Sequence, residues 1–211
     1  MAKNTDKILS LLKKQYPRAK IALNFKNPLQ ILVSTILSAQ CTDARVNLVT
    51  KDLFKKYKKV EDYAKADLKT FEQEIRSTGF YRNKAKHIIS SAQKIIKEHN
   101  GKVPNTMEDL LQLPGVARKT ANIVLYNGYG KTEGIAVDTH VRRLSQRLGL
   151  SKNNDPEKIE KDLMKLLYKK DWGRINDLLT HHGRRICDAK KPKCLECAVK
   201  ALCPSKKIFY G

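Results

Sequence analysis

Four of the five cysteines fall in the last 25 residues, as Cys187-x6-Cys194-x2-Cys197-x5-Cys203 with Pro204 directly after. Four thiolates this close along a chain can surround one centre. Structural zinc usually takes two close pairs joined by a longer loop, whereas this run has a single CxxC and uneven flanks. Iron–sulfur clusters draw four cysteine thiolates from uneven runs, and a closing Cys-Pro recurs among them. The spacing therefore favours an iron–sulfur cluster, with zinc or metal-free thiols as the alternatives. Arg184, Arg185, Lys190, Lys191, Lys193 and Lys200 would offset the negative charge of such a cluster and still face phosphates. Cys41 stands apart on an apolar segment and reads as a buried free thiol.

A second constellation lies mid-chain: Leu113-Pro114-Gly115-Val116-Ala117-Arg118-Lys119-Thr120-Ala121. Pro and Gly make a tight turn, and a helix starts at once. Its first backbone N–H groups have no acceptor within the helix, which suits them to a phosphate without any base contact. An ordinary helical hairpin is the competing reading. Lys119 falls in the first turn of that helix. The positive helix end and neighbouring Arg118 both disfavour an ammonium there, which predicts an amine freer than usual to attack carbon. A surface lysine contacting phosphate is the alternative. Asp138, before Thr139-His140-Val141, reads as a helix N-cap, and a capping carboxylate can also stabilise developing positive charge or move protons.

The elements that must position these residues are all helical in pattern. Ile8, Leu9, Leu11 and Leu12 stripe a first helix that stops at Pro17. Asn27-Pro28 caps a segment to about Gln40, and Thr42 or Asp43 caps the next helix. Asp67 opens a helix ending near Gly79, and Asn83 one that ends before Gly101. Asn105 and Glu108 have capping-box spacing ahead of Leu110, Leu111 and Leu113. Asp155-Pro156 begins another helix, and a last long one runs from about Trp172 towards Arg185. The expected fold class is all-α, with nine or ten helices and no separating linker.

Charge indicates the partner. Lys and Arg number 43 against 21 Asp and Glu, for a formal net charge of +22 spread along the chain. A folded domain with that balance faces a polyanion, with nucleic acid the leading candidate and a lysine-rich proteome the bland one. The longest apolar run, Leu29 to Ala39, is interrupted by Gln30, Ser34, Thr35 and Ser38 and falls short of a membrane span of about 20 residues. No export signal is read at the N-terminus. A cytoplasmic, nucleoid-associated protein with no membrane partner is expected.

Taken together, these blocks resemble the endonuclease III family of helix-hairpin-helix DNA glycosylases. The hairpin, the Val137-Asp138-Thr139-His140-Val141 segment and the 6-2-5 cysteine spacing match that family's motifs in order. Ser34 to Asp43 is similar to the family segment whose glutamine, here Gln40, enters the gap left by an extruded base. Gly79-Phe80-Tyr81 with Lys84-Ala85 is similar to its second wedge loop. The likeness runs from about residue 29 to 203. It implies two intimately packed helical domains: a six-helix barrel over 21–131, with its hairpin at about 105–127, and a cluster domain of 1–20 plus 132–211, with the cluster loop at 187–203. DNA would lie across the mouth between them.

The resemblance further implies a bifunctional DNA glycosylase and AP lyase of base excision repair. Lys119 would be the nucleophile and Asp138 its partner. Gln40, Phe80, Leu113, Gly115, Val116, Ala117, Arg118 and Thr120 would contact DNA. Cys187, Cys194, Cys197 and Cys203 would ligate a [4Fe–4S] cluster. The partner would be double-stranded DNA containing damaged pyrimidines or abasic sites, engaged by a monomer. Related adenine glycosylases lack a lysine at this position, and a purely DNA-binding iron–sulfur protein would need no amine there. Two departures stand out: Ala117 replaces the hairpin's second glycine, and Asn176-Asp177 stands where bacterial members carry histidines.

Overall fold

Residues 4–210 are described by a computed structural model, and every regular element among them is a helix. The chain divides into two units, Ala22–Glu133 and Met1–Ile21 with Gly134–Gly211. Among the described residues, twelve α-helices are distributed between them, with three short 3-10 turns at Arg76–Thr78, Lys169–Asp171 and Cys194–Glu196.

The unit Ala22–Glu133 holds α2 (Pro28–Leu37) to α8 (Arg118–Tyr129). Helix α2 opens as its sequence dictates: Pro28 sits at N1 and the Asn27 side chain accepts from Gln30 N at 2.9 Å. It ends at Leu37, three residues before the expected stop, because Gln40 takes a left-handed conformation at φ +51°. Thr42 then caps α3 (Asp43–Lys56), accepting from Arg45 N. The single-turn α4 (Val60–Ala64), which no apolar stripe announces, precedes α5 (Leu68–Glu74), capped by Asp67.

Helix α6 (Tyr81–His99) starts two residues before the expected Asn83, because left-handed Phe80 takes the cap position. It ends on left-handed Asn100, with Gly101 N donating to Ile95 O at 3.1 Å. Helix α7 (Met107–Leu111) is capped by Thr106 rather than Asn105: the Thr106 hydroxyl accepts from Asp109 N at 3.2 Å and donates to the Asp109 carboxylate, in place of the expected Asn105–Glu108 capping box. In the core, α2 packs on α8 and α6, and α4 and α5 pack on α6. Tyr57, Tyr63 and Phe71 form an aromatic cluster there, with Tyr57 stacked on Tyr63 at 5.0 Å between ring centroids.

The other unit joins α1 (Thr5–Gln15) to α9 (Thr139–Arg147), α10 (Pro156–Leu166), α11 (Trp172–Arg185) and α12 (Lys206–Tyr210). Ile8, Leu9 and Leu12 of α1 share one core with Val141, Leu144, Ile159, Leu163, Leu178 and Leu179. Lys13 of α1 also pairs with the buried Asp171. The N-terminal helix is thus an integral layer of the C-terminal unit. Periodicity could not reveal this, because it carries no information on contacts across 150 residues. None of the helices among the described residues is long and apolar enough to cross a membrane.

Candidate active site and thiol cluster

The hairpin joins α7 to α8. Val116 N donates to Leu113 O at 3.1 Å, closing the turn, and Gly115 occupies φ +76°. A Cβ on Gly115 would lie 2.7 Å from His87 Nδ1, so both conformation and space require glycine. Ser91 of α6 donates its hydroxyl to Pro114 O at 2.8 Å and buttresses the turn. Ala117 is the N-cap of α8 and supplies no capping side chain, so the first-turn amides of Lys119 and Thr120 lack both intrahelical and cap acceptors. Lys119 itself is exposed.

Of the hairpin residues expected to contact DNA, Leu113, Val116 and Thr120 bury their side chains. Leu113 N also donates to Leu110 O, so Leu113 and Val116 shape the turn from within and offer no free N–H. What this segment presents outward is Gly115, Ala117 and Lys119, with Arg118 partly exposed.

In the same unit, Gln40 and Phe80 are exposed, Phe80 at 64% for so large an apolar ring. Both are non-glycine residues with positive φ, at +51° and +48°. Cys41, expected as a buried thiol, is instead partly exposed beside Gln40.

In the other unit, Asp138 caps α9 as its position predicts: Oδ1 accepts from Val141 N at 2.8 Å. Oδ2 accepts from the hydroxyl of Thr180 on α11 at 3.2 Å. Asn176 donates to Ala136 O at 2.8 Å, holding the segment that leads into Asp138. Asp177 is buried, and desolvation pushes its carboxyl up to about 6. Arg174 acts the other way, and Asp138 adds to the rise. The sequence signal for this corner was the Asn176-Asp177 departure. Thr180 carried none.

All four clustered cysteines line one pocket, walled by Leu144, Leu148, Ile186 and Pro192. Burial raises the thiols of Cys194, Cys197 and Cys203, and neighbouring cysteine sulfurs push in the same direction. Four thiolates crowded in an apolar wall need a cationic centre to hold them ionised. Among the described residues no three His, Cys, Asp or Glu side chains converge on a single-ion position.

Polar neighbours reach the sulfurs. Arg147 Nη1 donates to Cys187 Sγ at 3.4 Å, and His182 Nε2 lies 3.4 Å from Cys197 Sγ. His182 is 1% exposed, and its Nδ1 is 3.0 Å from the Tyr16 hydroxyl of the segment following α1. Arg143 and Arg147 also donate to the carbonyls of Cys187, Asp188 and Ala189.

Residues 33–169 match the HhH-GPD superfamily of base excision DNA repair proteins, which sets the class. Over 198 residues the chain is 54% identical to Endonuclease III of Synechocystis sp., covering 94% of this chain and 90% of that protein. Two solved structures superpose with TM-scores of 0.94 at 41% identity. One is a non-covalent Endonuclease III–DNA complex, covering 99% of this chain and 97% of that one. The other is a trapped Endonuclease III–DNA covalent intermediate, covering 99% and 98%. The chain belongs to the endonuclease III family.

Proposed function

We propose that this chain excises damaged pyrimidines from duplex DNA through Lys119, with Asp138 as the acid–base partner. As a member of the endonuclease III family it is a DNA glycosylase with AP lyase activity, acting in base excision repair. The observation that carries the assignment of Lys119 is its place. It is an exposed amine one residue into α8, behind a hairpin whose turn geometry demands Gly115 and whose first amides suit a phosphate.

The chemistry follows from that placement. An extruded nucleotide presents C1′ of its sugar. The Lys119 amine forms a bond to C1′ as the glycosidic bond breaks, and the departing base takes a proton. Loss of an amine proton and opening of the sugar give a Schiff base. Removal of a C2′ proton then expels the 3′ phosphate by β-elimination. Asp138 is suited to move these protons and to stabilise the cationic sugar, because its carboxylate is fixed by Val141 N and Thr180 Oγ1. Gln40 and Phe80 are assigned to the gap left by the extruded nucleotide. The unit Ala22–Glu133 would be the DNA-engaging barrel, and Met1–Ile21 with Gly134–Gly211 the cluster domain. One chain supplies every part, so a monomer suffices, working on chromosomal DNA at the nucleoid.

Cys187, Cys194, Cys197 and Cys203 would hold a [4Fe–4S] cluster, whose four irons each take one thiolate. The pocket they line and the arginines that clasp the loop backbone support this set.

Borohydride trapping on a thymine-glycol duplex tests the catalytic pair. Lys119→Gln keeps length and polarity but removes the nucleophile. Covalent adduct and strand cleavage should vanish while lesion-duplex affinity persists. Asp138→Asn keeps an oxygen for Val141 N and can exchange a hydrogen bond with Thr180, so it should fold. Its turnover should fall about a hundredfold or more. Full trapping by Lys119→Gln, or near-normal turnover by Asp138→Asn, would contradict the assignment.

A further inference from the structure

Lys84 lies on α6, four residues past Phe80, and is only 4% exposed. Its Nζ donates to Leu37 O at 2.7 Å and to Thr78 O at 2.8 Å. Leu37 is the last residue of α2, and Thr78 closes the 3-10 turn Arg76–Thr78. Carbonyls at helix C-termini have no partner in their own helix, and the negative end of the helix favours a cation. A third bond runs from Lys84 N to Phe80 O at 3.2 Å. One residue therefore brackets Gly79-Phe80 from both sides and ties it to the end of α2, two residues before Ala39-Gln40.

The segments so tied carry Gln40 and Phe80, both in the left-handed conformation. Non-glycine residues hold that conformation only where the surroundings enforce it. Burial pushes the Lys84 ammonium below the usual lysine range, with the Cys41 thiol acting the other way. A lysine with two of its three N–H bonds committed to carbonyls is also no reserve nucleophile.

We propose that Lys84 is a positioning residue, whose ammonium caps α2 and the Arg76–Thr78 turn together and so sets the spacing of Gln40 and Phe80. The proposal rests on the assignment of those two side chains to the vacated stack. A duplex carrying 2-aminopurine beside a non-cleavable abasic analogue reports the opened stack as a rise in fluorescence on binding. In full-length protein, Lys84→Met and Lys84→Gln should lose most of that rise. Turnover on a thymine-glycol duplex should fall by about tenfold to a hundredfold, with undamaged-duplex affinity changing by less than about twofold.

Gln40→Ala and Phe80→Ala are measured alongside. If they keep the fluorescence rise, the insertion assignment is wrong and the role of Lys84 falls with it. If they lose it while both folded Lys84 variants keep it, only the role of Lys84 is overturned. Should neither Lys84 variant fold, NMR of the wild-type protein decides. A protected Nζ signal coupled through hydrogen bonds to the Leu37 and Thr78 carbonyls supports the clamp, and a freely exchanging one overturns it.

Discussion

Two carboxylates sit in the corner between α9 and α11, and their environments differ. Asp138 has a defined acceptor task on each oxygen. Asp177 is 7% exposed, with Arg174 as the opposing charge, and burial raises it from the ordinary 3.8 to about 6. The consequence for stability has a definite sign. Below pH 3.8 the carboxyl is neutral in both folded and unfolded states and costs nothing. Between 3.8 and 6 the unfolded chain ionises first, so the folded state loses stability as pH rises, and the loss is complete above about 6. Two pKa units correspond to roughly 2–3 kcal/mol. Asp177→Asn should therefore raise the apparent melting temperature at pH 7.5 by about 4–10 °C, and the gain should shrink towards pH 4. Melts at a fixed scan rate across that range check it. An equal gain at both ends would mean that packing, not ionisation, is responsible.

The elements differ in how legible they were. Helices α2, α3 and α10 announced themselves because their caps are local, as with Asn27-Pro28 and Asp155-Pro156, and α1 did so by its apolar stripe alone. The single-turn α4 and α12 were missed, since five residues are too few to show a period. Lys84 was visible only as a member of a motif, because sequence treats a lysine as solvated and this one is buried by three segments meeting. The cluster loop is the opposite case, with its thiols plain in the spacing and its support hidden. Between Cys187 and Cys203 the only helix is the turn Cys194–Glu196, so the loop depends on Arg143 and Arg147 reaching across from α9. Such a loop should order around its centre. Protein isolated anaerobically should carry about four iron and four sulfide per chain. Cys194→Ser should lose much of that iron and lower the melting temperature more than Cys41→Ser does. Stoichiometric zinc without sulfide would instead make the centre a single-ion site.

At the scale of the whole molecule, the charge of +22 and the local devices have separable consequences. Lysines and arginines spread along the chain attract any duplex, and each neutralised phosphate releases counterions, whatever the base sequence. Undamaged-duplex affinity should accordingly drop steeply with salt, by about a thousandfold or more between 50 and 200 mM if some six phosphates are contacted. Gln40 and Phe80 carry no charge, so their alanine variants should leave that slope unchanged and act on lesion turnover alone. Arg118→Ala, at the hairpin, should reduce the slope by about one phosphate equivalent. Fluorescence anisotropy across a salt series, run on all three variants with one undamaged duplex, separates these terms. A flat salt response would mean that the positive charge reflects surface solvation and that binding rests on the hairpin by itself. A slope altered by Gln40→Ala would mean that Gln40 contributes to backbone contacts and not to the vacated stack.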